Sequence, residues 1–164
     1  VIVIADASPL IFLTKIRKLT LLNELLGNDI RVPQRVYHEV LVPGMDQVEQ
    51  DIVETFLAEC RVVAVQHLRV FASAMSAADN AALTLAVRCE ADILLCDERL
   101  TRTVAEAEGI RSLGALGVLL RAMRHRMLSA DETRCLVDQL IRRHSFRIGI
   151  ELYQAILVEI ERST

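Results

Sequence analysis

Apolar residues along this chain follow two rhythms. Some form short, continuous β-branched runs, and others recur every three or four residues in longer stretches. The opening VIVIA reads as a buried strand, with Ser8 as a cap and Pro9 at the first position of a helix to about Ile16. LTLLNELLGN predicts a second helix that stops at Gly27. DIRVP is a second strand, and QRVYHEVLV a helix broken at Pro43 and Gly44. MDQVEQDIVETFLAEC is helical by its spacing, RVVAV is a third strand, and the Ala-rich SAADNAALTLAVRCE is a helix. ADILLCD gives a fourth strand, ERLTRTVAEAEG a helix ending at Gly109, and IRSLG a short fifth strand. The rest predicts three helices: about Leu116 to His125, Ser129 to Arg143 and Ile150 to Ile160. Strands separated by helices imply an α/β fold, with about five parallel strands covered on both faces and a helical C-terminal tail. A chain of 164 residues with no linker or low-complexity tract is expected to form one domain, 1–164.

Ligands of parallel sheets bind beyond the carboxyl ends of the strands. Two apolar strands end there in a carboxylate: Asp6 after VIVIA and Asp97 after DILLC. Glu39 flanks an apolar stripe formed by Val36 and Val40, and Asp79 opens the Ala-rich helix. Each acid alone also fits a turn, a cap or a solvated face, and Ser76-x-x-Asp79 matches a capping box. Four carboxylates converging within about 4–6 Å would repel one another by several kcal/mol, so some would hold protons at neutral pH. A divalent cation removes that conflict. Hard oxygen donors without His or Cys favour Mg²⁺ or Mn²⁺, which suit in-line attack of water on a phosphodiester.

Composition narrows the reading. With 52% hydrophobic and 25% charged residues the chain is globular. Only 4% of residues are aromatic and none is Trp, so a base-stacking platform is not expected. At a formal charge of −3, contact with nucleic acid must rest on local patches or a bound metal. Arg102, close after Asp97, is the best candidate for a phosphate contact. The cluster Arg121, Arg124, His125, Arg126, Arg142, Arg143, His144 and Arg147 reads either as a phosphate track or as a solvated helical face. Four scattered cysteines without a C-x-x-C pair argue against zinc and disulfides and for a reducing, cytoplasmic setting. No apolar run reaches membrane-spanning length and no secretory leader is expected.

VIADASPLIFLTK, VYHEV, SAADNAALTLA and ADILLCDERLTRTVAEAEGI together resemble the PIN-domain nucleases, and most of all a VapC-like branch whose first motif reads D-x-S-P-L-I-x-L. The resemblance runs through LGALGVLLRA and the helical tail, and it implies a three-layer α/β/α PIN-like domain. It puts Asp6, Glu39, Asp79 and Asp97 on the family's metal-site and catalytic acids, with Ser8 supporting Asp6. The branch's third motif, G-E-x-E-A-I, reads Ala78-Asp79-Asn80-Ala81-Ala82-Leu83 here. Asp79 takes the first acidic place in shortened form, Ala81 stands where many relatives carry a second acid, and Glu98 is a substitute or supporting group. The function that the resemblance implies is that of a Mg²⁺- or Mn²⁺-dependent endoribonuclease, the toxin of a toxin–antitoxin pair. Such a toxin is a homodimer neutralised by a small antitoxin over its active-site groove. The alternative is a degenerate PIN module that binds RNA or a partner protein without cutting. A haloacid-dehalogenase-type phosphatase would place a second Asp where Ser8 stands. A receiver domain would need an acidic pair and a late Lys, whereas Lys occurs only at positions 15 and 18.

Overall fold

The computed structural model describes residues 1–41 and 43–163. Val3, Ile4 and Ala5 have no solvent exposure, and they form β1 (Val3–Ala5). Two short helices follow, α1 (Ala7–Lys15) and α2 (Leu21–Leu26), and α2 stops at Gly27 with φ +85°. Next come β2 (Ile30–Pro33), α3 (Gln34–Val40), α4 (Gln47–Glu59) and β3 (Arg61–Val63). The Ala-rich segment is α5 (Ala77–Arg88), and β4 (Ile93–Leu95), α6 (Arg99–Ala107) and β5 (Arg111–Leu113) follow. The last elements are α7 (Ala115–Arg124), α8 (Ala130–Arg143) and the C-terminal α9 (Ile150–Arg162).

The five strands make one parallel sheet in the order β3-β2-β1-β4-β5, flanked by helices as expected. The order in which strands are added reverses at β1: β2 and β3 extend to one side, β4 and β5 to the other. In sheets of this kind ligands sit at such a switch point, here beyond the carboxyl ends of β1 and β4. Helix α5 packs directly on β1, β2 and β4, and α3 packs against both α1 and α5. Nine consecutive α5 residues, Ala78 to Ala86, are buried, which accounts for the Ala-rich composition of a helix enclosed on all sides.

Local readings need two corrections. Helix α1 begins at Ala7, with Asp6 rather than Ser8 in the N-cap position, and Pro9 is its third residue. The Asp6 N–H donates to Leu95 O at 2.9 Å, which fixes the end of β1 against β4. A proline within the first turn still costs no helix hydrogen bond, because those N–H groups have no partner in the helix. Helix α3 stops at Val40, and the Val42 end of the predicted QRVYHEVLV helix lies outside the described residues.

The chain divides into two compact units, Val1–Ala115 and a second one from Leu116 onward. Within the second, Arg124 pairs with Glu159 at 2.6 Å and the Tyr153 hydroxyl donates to Asp138 at 2.9 Å. Among the described residues no helix is long and apolar enough to cross a membrane.

Candidate active site

Three helices carry the first acids, with α3 packed against both α1 and α5. Asp6 precedes α1, Glu39 sits in the last turn of α3, and Asp79 in the first turn of α5. Asp6 is 2% exposed, and its carboxyl does not cap its own helix. Instead it lies within hydrogen-bonding reach of the Asp79 carboxyl. Burial holds the Asp6 carboxyl well above its ordinary range, and the Asp79 charge, the shared hydrogen bond and Glu39 add to the effect against the Ala7 N–H. A hydrogen bond between two carboxyls requires that one of them keep a proton, unless a cation takes its place.

Asp79 serves two purposes at once. Its Oδ2 accepts the Ser76 N–H at 3.1 Å and its own N–H donates to Ser76 Oγ at 3.1 Å, completing a capping box. The same buried carboxyl faces Asp6, Glu39 and Glu98. Glu39 is exposed beside the fully buried Val36 and Val40, and partial desolvation followed by the Asp79 charge raises its carboxyl. Glu98, the N-cap residue of α6, is raised by partial desolvation, by the Asp79 charge and by a hydrogen bond with Asp79. Asp79 is therefore the hub on which the other three acids converge.

Asp97 has different surroundings. Its Oδ1 accepts the Ala115 N–H at the start of α7 at 2.8 Å, while its buried Oδ2 has no donor among the described residues. Burial pushes the Asp97 carboxyl up to about 6, against the Ala115 N–H and the Arg102 charge. Half-buried Arg102 donates Nε to Ser112 Oγ at 3.4 Å. Cys96, fully buried, lies within electrostatic reach of both groups of acids. Its thiol is pushed up to about 12 by burial, then by Asp6, with Asp97 and Asp79 adding and Arg102 opposing. The Ser8 hydroxyl makes no hydrogen bond among the described residues.

The donor set suits a hard divalent cation: carboxylate oxygens that crowd one another, and one buried orphan acceptor at Asp97. Asp6, Asp79, Glu39 and Glu98 are the residues that could hold it, while Asp97 stands apart from them with its Oδ2 unpaired among the described residues. Among the described residues, no three His, Cys, Asp or Glu side chains already stand at metal-binding separation.

Sequence reasoning missed Asn80. This residue, 4% exposed, accepts the Phe71 N–H at 2.9 Å and donates to Ser76 O at 2.9 Å and Met75 O at 3.3 Å. It thereby ties the segment before α5 to the turn that holds Asp79. Thr84 and Arg88 extend the tie to Arg69, Gln66 and His67. The available signal was an amide in an otherwise apolar stretch, because a buried amide must find partners.

A family model described as a PIN domain matches residues 2–162. No curated protein and no solved structure matches the chain.

Proposed function

The chain belongs to the PIN-domain family, and on that premise we propose that it is a Mg²⁺- or Mn²⁺-dependent endoribonuclease. The observation that carries this reading is the buried Asp6–Asp79 carboxyl pair, flanked by Glu39 and Glu98 at the crevice between β1 and β4. A bound divalent ion supplies charge neutralisation and a water of lowered pKa. The chain's own residues do the rest. Asp6 and Asp79 hold the centre from buried, hydrogen-bonded positions, and Glu39 and Glu98 close it from the rim. Arg102 receives a phosphate of the RNA on the Asp97 side, and Asp97 is the remaining acid of the catalytic set. Ser8, at the second position of α1, is the residue that the resemblance puts in support of Asp6.

The resemblance supplies the biological half of the proposal: a cytoplasmic toxin, homodimeric, with a small antitoxin as cognate partner. The family match spans both compact units, which supports reading 1–164 as one PIN-like domain. A second reading, a degenerate module that binds RNA or protein without cutting, draws on Ala81. This residue is fully buried where relatives carry another acid.

Calorimetry with MnCl₂, followed by cleavage of a mixed-sequence RNA, tests the proposal on the parent and on Asp6→Asn. We expect saturable Mn²⁺ binding and metal-dependent cutting by the parent, both lost in the variant. Absence of binding by the parent at millimolar Mn²⁺ transfers the case to the degenerate module.

A further inference from the structure

We propose that Gly114 is a positioning residue for Asp97, keeping one carboxylate oxygen tied to α7 and the other uncommitted. The role within catalysis rests on the nuclease reading above, while the positioning itself rests on geometry alone. Gly114 is the single residue between β5 and α7. A Cβ built on it meets Asp97 Oδ1 at 2.5 Å, Cys96 O at 3.3 Å and Asp97 Cγ at 3.5 Å. Gly27, Gly44 and Gly109 differ in kind: each has a positive φ and open space where a Cβ would go. Gly114 is required by space, not by backbone conformation.

Little around it can yield. The Cys96 N–H donates to Leu113 O at 3.1 Å, so the backbone on both sides of the contact is held within the sheet. The mobile group is the Asp97 carboxyl, whose Oδ1 accepts the Ala115 N–H in the space a methyl would take. A side chain at 114 therefore rotates the carboxyl, strips the Ala115 N–H of its acceptor and redirects the orphaned Oδ2. Groups that orient a metal-site ligand typically alter metal affinity by about 10- to 100-fold when changed.

A thermal double-mutant cycle tests the placement. Gly114→Ala lowers the melting temperature in the parent, and most of the penalty disappears in an Asp97→Ala background, where only the Cys96 carbonyl remains close to the methyl. The Ala115 amide proton moves upfield in Gly114→Ala, reporting the lost hydrogen bond in a chain that stays folded. An equal penalty in both backgrounds, or an unmoved Ala115 resonance, overturns the proposal. Mn²⁺ titration then separates the two readings. With the cycle as expected, an affinity for Mn²⁺ about 10- to 100-fold weaker in Gly114→Ala supports the positioning role at the proposed centre. A parent that binds no Mn²⁺ overturns the nuclease reading, while the cycle still decides on Gly114.

Discussion

Replacing Asp97 by Asn should stabilise the metal-free protein at neutral pH and do nothing of the kind in acid. The carboxyl titrates near 6 in the folded chain against an ordinary 3.8. The folded state therefore binds the proton more tightly than the unfolded state, and stability falls as pH rises between those two values. At about 1.4 kcal/mol per pH unit, the full cost is roughly 3 kcal/mol above pH 6, and partial solvent access trims it to about 2–3 kcal/mol. Asn keeps an oxygen for the Ala115 N–H but carries no charge. Any constant offset from its amide cancels when the same pair of proteins is compared at two pH values. For a chain of this size about 2–4 °C accompanies each kcal/mol, so the variant should gain roughly 5–10 °C on the parent between pH 4 and pH 8. Thermal melts in EDTA, followed by circular dichroism, measure the gap. Asp97 shows no dependence on Asp6, Glu39 or Asp79, so their titration affects both proteins alike. A gap that stays constant with pH, or widens toward acid, refutes the assignment of that carboxyl to a desolvated site.

Substitutions at two further positions test how the site is supported. Asn80→Ala leaves the Phe71 N–H and the Met75 carbonyl short of partners, while the Ser76 carbonyl keeps the backbone N–H of residue 80. It should cost about 2–3 kcal/mol in urea denaturation, and an unchanged midpoint would show that the segment before α5 is held by other contacts. Ser76→Ala removes the hydroxyl that accepts the Asp79 N–H, at a cost of about 1 kcal/mol. Ser76→Gly should recover most of that loss, and no difference between the two would place the stabilisation elsewhere.

Much of the fold and part of the site can be read from short-range pattern. β1 and β4 are unbroken apolar runs ending in Asp, and each lies where its run predicts because burial on both faces demands such a sequence. The Ser76–Asp79 box was readable because its partners lie three residues apart. Ser8 misled for the same reason that Ser76 did not. Local capping rules favour Ser before Pro, but the Asp6 N–H bonded to Leu95 O sets where β1 ends, and so where α1 begins. Asn80 and Gly114 were illegible because their meaning is non-local. Asn80 answers to Phe71, nine residues earlier, and Gly114 to a carboxylate 17 residues before it.

Position 81 bears most directly on the proposed function. Ala81 is fully enclosed, so a carboxylate in its place would be desolvated at heavy cost unless paired. Glu98 approaches Asp79 instead from the N-cap of α6, at the rim, where water lowers the cost of its charge. The enclosed position 81 thus carries no acid, while the N-cap of the next helix presents one from an accessible position. Four carboxyls still face one another through Asp79, and burial and mutual repulsion raise three of them, Asp6, Glu39 and Glu98. A folded chain that concentrates like charge in this way holds free energy that a cation can release, so metal binding and stability should rise together. Thermal melts with and without MnCl₂ measure this: a melting temperature that rises with metal in the parent but not in Asp79→Asn supports a metal centre, and no rise in the parent favours the degenerate module.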